Sequence, residues 1–323
     1  MIETSKWVEC DAPGQPAASV VVVALAGRLA VVSHYLEPSL ADDVHEIERI
    51  HQLRVATRRS GAALAAFAEF LPPGKAKRMR RTLKRIRRAA GAARDIDVMA
   101  DRYQSPSEAV SDPTHDWLWA FISDARRGAR PAVEGIFRRY GRGKFTRQAE
   151  RLVNRAGWRG EGDEPTFAGL AAEQLGRAAR DFFQIARRRP RRAGGLHAMR
   201  IAAKRFRYVL ELFSGVAEGL RDEVYPLVEQ VQQRLGDAND RAVGANQLSV
   251  WRRRHARRRR AERGADGIAD IGSTEVNLAE VEAIAKRERK KATAARRDFL
   301  QWWTVERCES LAQRFEELMA STR

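Results

Sequence analysis

Only two cysteines, Cys10 and Cys308, occur in 323 residues, and they stand near opposite ends. That spacing spells out neither a disulfide framework nor a thiolate zinc site, and a reducing cytoplasm is the expected setting. Alternating β-branched runs are also missing, with Val20 to Val23 the one tempting strand seed, so no sheet is expected. The longest apolar stretch, Ala17 to Val32, is short for a membrane span and is interrupted by Gly27 and Arg28. It makes a poor secretory leader, because Glu3, Glu9 and Asp11 precede it against a lone Lys6. Residues 17–36 are expected to form the first helix of a soluble fold. The most telling shortage is local: between residues 74 and 94 there is no Asp or Glu.

What the chain has in abundance is arginine. Lys and Arg number 60 against 42 Asp and Glu, a formal charge of +18, and only nine of those cations are Lys. Such an excess points to a polyanionic partner: nucleic acid, an anionic membrane surface or a phosphate polymer. The Arg bias favours forked, bidentate donors suited to phosphate oxygens. At 44% apolar residues the chain can bury a core and is no disordered basic tail.

Helical periodicity runs nearly throughout, broken at Pro72-Pro73-Gly74, 104–113, 157–166, Pro190, Gly194-Gly195 and 264–274. Seven or eight helices and no sheet predict an all-α protein. The segments expected as helices after the first are roughly 42–71, 75–103, 114–140, 166–189, 195–214, 220–255 and 277–320.

Within that pattern the chain echoes itself. Residues 51–67, HQLRVATRRSGAALAAF, return as residues 197–213, HAMRIAAKRFRYVLELF, at a constant offset of 146. His51 matches His197, Arg54 matches Arg200, Arg58 matches Lys204, Arg59 matches Arg205 and Phe67 matches Phe213. A second echo sets GAARDIDV, residues 91–98, against GDANDRAV, residues 236–243. Two motifs displaced almost equally and in the same order mark a duplication, with a boundary near 157–166 and halves of 1–160 and 161–323.

On a helical projection each copy divides into two faces. His51, Arg54 and Arg58 lie within about 60° of one another, while Leu53, Ala56, Ser60, Leu64, Phe67 and Leu71 form the opposite stripe. His197, Arg200, Lys204 and Arg207 oppose Met199, Ala202, Phe206, Leu210 and Phe213 in the same way. The helix after Pro72-Pro73 is denser, with nine cations in residues 75–88. Its buried stripe should be Met79, Leu83, Ile86 and Ala90, with Lys77, Arg81, Lys84 and Arg88 on the far side. Like charges at i,i+4 destabilise a helix by a few tenths of a kcal/mol per pair. An acid-free row of four is therefore expected to face an anion. The runs 187–192 and 252–260 stand near helix ends, where cations also suit the macrodipole, and are left out of the core site.

These residues resemble the CHAD domains, the conserved histidine α-helical domains. The family's H-x-x-R-x-x-x-R-R-x-R signature is similar to His51, Arg54, Arg58 and Arg59, and again to His197, Arg200, Lys204, Arg205 and Arg207. Arg94-Asp95-Ile96-Asp97-Val98 resembles its R-D-x-D-V element. The resemblance spans roughly residues 17–320. It implies two pseudo-symmetric four-helix halves around a basic groove or pore, and binding of inorganic polyphosphate, often at polyphosphate granules. The chain departs from the family pattern at Gly61, where the first copy would have the counterpart of Arg207. In the second copy, Glu229, Gln230, Gln232 and Gln233 replace Lys84, Arg85, Arg87 and Arg88. The first half should thus contribute more cations.

The expected polyphosphate site therefore comprises His51, Arg54, Arg58, Arg59, Lys77, Arg81, Lys84, Arg88, His197, Arg200, Lys204, Arg205 and Arg207. No catalytic group, metal or cofactor is expected. Each histidine sits one turn from an Arg on the cationic face, fit to donate to a phosphate oxygen or to make a structural hydrogen bond. Non-specific nucleic-acid binding is the alternative, although no helix-turn-helix, zinc finger or RNP-type strand is present. A metal-dependent phosphohydrolase would need Asp95 and Asp97 to share a metal, and i,i+2 on a helix points them about 160° apart.

Overall fold

The computed structural model describes residues 5–10, 12–37, 43–103, 111–266 and 276–321. These form ten α-helices and no strand: α1 (Ala17–Leu36), α2 (Asp43–Ala66), α3 (Pro73–Tyr103), α4 (Asp112–Tyr140), α5 (Lys144–Val153), α6 (Phe167–Ala186), α7 (Ala193–Phe213), α8 (Tyr225–Asp266), α9 (Leu278–Trp302) and α10 (Val305–Ala320). The all-α expectation holds, with two helices more than the eight segments anticipated. α5 was not anticipated at all. The segment 277–320 is two helices, because Thr304 adopts an extended backbone and its side chain accepts from the Arg307 amide, capping α10. Of the loops expected at 104–113 and 264–274, residues 104–110 and 267–274 lie outside the described residues, while Asp112 and Pro113 open α4 and residues 264–266 end α8.

The helices divide into two compact units. One comprises Met1–Arg94, Arg130–Gln232 and Trp303–Arg323, the other Asp95–Ala129 and Gln233–Trp302. Each unit draws on both 1–160 and 161–323, so compactness does not follow the sequence halves. Along α4 the division falls between Ala129 and Arg130, beside Pro131, which cannot donate a helical hydrogen bond.

The larger unit is built on α1, whose length and composition alone would allow it to cross a membrane. In the fold it is a core helix: Ala17, Val21, Leu25, Val32 and Leu36 are fully buried, and Arg28 among them is 7% exposed. α1 packs against α2, α5 and α6, and α7 packs against both α2 and α6. The starts of α1 and α6 lie side by side and exchange reciprocal bonds, Ala17 donating to the Pro165 carbonyl and Phe167 to that of Gln15. Phe67 and Phe213, matched by the duplication, meet edge to face at 5.8 Å. Glycine is required at Gly141, where a Cβ would stand 2.6 Å from the Phe137 carbonyl oxygen and 2.7 Å from that of Leu36.

The smaller unit packs Met99, Trp117, Leu118 and Ile122 against Leu248, Trp251, Val281 and Ile284. The Trp117 indole donates to His255 Nδ1 at 3.1 Å. Glu288, 4% exposed, accepts from Arg102 at 3.2 Å and Arg241 at 3.4 Å.

Candidate functional site

α2 and α7, which carry the repeated motif, pack on each other in the larger unit, and α3 runs antiparallel along α2. Three arginines of α3 at seven-residue spacing set that register. Arg80 donates to the Leu64 carbonyl at 2.9 Å. Arg87 lies close enough to repel Arg58, and Arg94 close enough to repel His51. Seven residues is nearly two helical turns, so Arg80, Arg87 and Arg94 form one row flanking the buried stripe of Met79, Leu83, Ile86 and Ala90. The centre of the arrangement is His51, Arg54 and Arg58 of α2 beside Arg87 and Arg94 of α3.

The charges are crowded and partly enclosed. Burial lowers the Arg58 pKa, and neighbouring Arg54 adds to that, while Tyr208 of α7 supplies an opposing hydrogen bond. His51 is half-buried, with Nδ1 covered and lacking a hydrogen-bond partner among the described residues. Its pKa falls below 6.5, first through burial and then through Arg94, with Arg54 and Arg58 contributing and Glu48 opposing. An anion placed here would relieve repulsion among several guanidinium groups at once.

Not every predicted cation faces this place. Lys77, Arg81, Lys84 and Arg88 are exposed, as expected, but their row lies about 100° around α3 from Arg87 and Arg94. Arg87 and Arg94 were absent from the sequence-based site. Their signal was the seven-residue spacing with Arg80, hidden because this row borders the apolar stripe rather than opposing it.

Arg59 and Arg207 take part in an internal network. Arg59 Nε donates to Glu211 Oε2 at 2.7 Å, and Tyr225 donates to Oε1 of the same carboxylate at 3.1 Å. Arg207 Nη1 donates to Glu229 at 2.9 Å, with its Nε 3.9 Å from Glu211. Glu211 is fully buried. Buried Arg28 of α1 donates to the Glu211 backbone carbonyl at 3.3 Å, and its pKa is held down to about 10 by burial, against the pull of Glu211. The carboxylate thus stands among three guanidinium groups and a phenol.

In the second copy, His197 and Arg205 are exposed on α7, while Arg200 and Lys204 are half-buried. At the offset of 145, the row Arg80, Arg87 and Arg94 becomes Tyr225, Gln232 and Asn239. That change removes all three charges. The cation-rich site belongs to the first copy, and Asp97, the metal candidate, is 5% exposed with Arg126 Nε 3.2 Å from its carboxylate.

The fold has solved counterparts. The crystal structure of the CHAD domain from the plant Ricinus communis matches with a TM-score of 0.57 at 19% identity, covering 87% of this chain and 96% of that one. PptA from Streptomyces chartreusis matches with a TM-score of 0.57 at 16% identity, covering 90% and 99% respectively. At such identities the likeness defines an all-helical fold of this class. Residues 23–249 match the CHAD domain itself, and the chain belongs to that family. None of the curated proteins compared matches it.

Proposed function

We propose that the chain is a non-catalytic binder of inorganic polyphosphate, the ligand that membership of the CHAD family suggests. The observation that carries this reading is the alignment of His51, Arg54 and Arg58 with Arg87 and Arg94, two cationic rows on adjacent antiparallel helices. A flexible chain of anionic groups without bases needs rows of guanidinium forks and no stacking platform. Phe67, Phe206, Phe213, Trp251 and Trp303 are buried and offer no face to a base, which counts against nucleic acid, whereas Trp302 is half-buried and Trp119 is exposed. The exposed row Lys77, Arg81, Lys84 and Arg88 raises the local potential and steers the polymer inward. The expected setting is the cytoplasm, at polyphosphate granules.

The test is competition. Long-chain polyphosphate should bind with strong salt dependence and displace duplex DNA, and charge reversal at Arg54, Arg58 and Arg87 should abolish binding while far-UV circular dichroism stays helical. Equal competition by duplex DNA, phosphate for phosphate at moderate salt, would overturn the assignment in favour of a general polyanion binder. Phosphate release from polyphosphate in Mg²⁺ would overturn the non-catalytic part.

A further inference from the structure

We propose that binding of the polyanion loads a proton onto His51, so that affinity rises as the surroundings become more acidic. The inference rests on the polyphosphate reading and specifies how that site is regulated.

The geometry around the imidazole carries it. From α2 itself come Glu48, Arg54 and Arg58; from α3 comes Arg94, with Arg87 one step further, beside Arg58. α7 brings the Tyr208 hydroxyl to Arg58. α4 meets this stretch of α2 with the apolar Val133 and Phe137 around Ile50, and α1 with the Tyr35 carbonyl, which accepts from Arg49. Among the described residues, the one carboxylate that acts on the ring, Glu48, is set against the guanidinium groups of Arg54, Arg58 and Arg94. A charged imidazole has two N–H donors, and the covered Nδ1 finds no acceptor among the described residues. Enclosure, repulsion and the missing acceptor all favour the neutral ring in the free protein.

A polyphosphate chain reverses the main term. Its charges offset Arg54, Arg58 and Arg94 around the ring, so the imidazolium is less disfavoured in the complex than in the free protein. When a group binds protons more tightly in the complex, linkage requires proton uptake on binding, and acid must tighten the complex in return. The sign follows directly. Above the bound-state pKa, affinity is independent of this group. It climbs as pH falls through that value and levels off below the free-state pKa, gaining tenfold for each unit between them. His197, the matching residue of the second copy, is exposed on α7 and lacks the enclosure.

Calorimetric titration of the full chain with long-chain polyphosphate at pH 6.5, in two buffers of different ionisation enthalpy, measures the proton count. Long chains make the titrating end groups negligible. The expected result is net uptake by the wild type and by His34→Gln, which lies on α1 outside the site, with uptake abolished in His51→Gln. Should that variant fail to fold, the His51 ring-proton NMR titration of the wild type, free and bound, must show a higher pKa in the complex. Binding with identical heats in both buffers overturns proton uptake alone and leaves the polyphosphate reading standing. Uptake lost in His197→Gln and retained in His51→Gln also overturns it, assigning the proton to the second copy. A wild type that fails to bind polyphosphate overturns both readings.

Discussion

Glu211 explains why two arginines of the repeated motif differ from their neighbours. Its carboxylate is fully buried and accepts from Arg59 and Tyr225, with Arg207 and Arg28 close by. The Arg207–Glu211 spacing of i,i+4 was legible in the sequence; the closure of Glu211 over Arg59, 152 residues away, was not, because only tertiary packing brings them together. Removing one partner of such a network leaves uncompensated buried charge. Glu211→Ala should therefore cost about 3 to 5 kcal/mol of stability, measured by urea denaturation, with Glu211→Gln falling between it and the wild type because it keeps an acceptor for Tyr225. His51 supplies a second prediction at this scale. Its pKa is lowered in the folded state, so below about 6.5 the unfolded chain binds more protons than the folded one. Stability from this residue is complete above that pH and declines as pH falls below it. His51→Gln should lose less stability than the wild type between pH 7.5 and 5, read as the shift in urea midpoint.

Among the elements, α3 carries two rows with different roles. A helical projection identified the outer row, Lys77, Arg81, Lys84 and Arg88, by its opposition to the apolar stripe. It passed over Arg87 and Arg94, because a position bordering that stripe can face solvent or a neighbouring helix, and periodicity does not say which. The antiparallel fit of α2 decides the matter. Partly enclosed contacts and exposed rim charges affect binding differently: the first act on dissociation, the second on association and its salt dependence. Charge reversal of Arg58 and Arg94, both half-buried, should thus speed release of polyphosphate at least tenfold. Reversal of Arg81 and Arg88 should mainly slow capture at low salt. Stopped-flow kinetics with labelled polyphosphate separates the two, and equal effects on release would mean that the outer row also grips the ligand.

For the whole molecule the question is whether +18 charges act as a coat or as a site. The all-α class and the duplicated motif were legible because helical periodicity and a constant offset are properties of the sequence itself. The division into compact units was not, since each unit gathers segments from both sequence halves. Part of the outer arginine runs is held by acids: Arg187 donates to Glu309 at 3.0 Å, and Arg252 lies 3.1 Å from Glu282. Others, such as Arg253, Arg254 and Arg257, are exposed on α8 in the smaller unit, whereas the cationic rows of α2 and α3 belong to the larger one. If affinity comes from counterions released at a defined site, the slope of log K against log salt counts only the cations that touch the polymer. Arg54→Gln, Arg58→Gln and Arg87→Gln should each flatten that slope by about one, whereas the same change at Arg253, Arg254 and Arg257 together should leave it within error of the wild type. A slope that falls equally for both sets would identify the charge as a diffuse coat and remove the special standing of the paired rows.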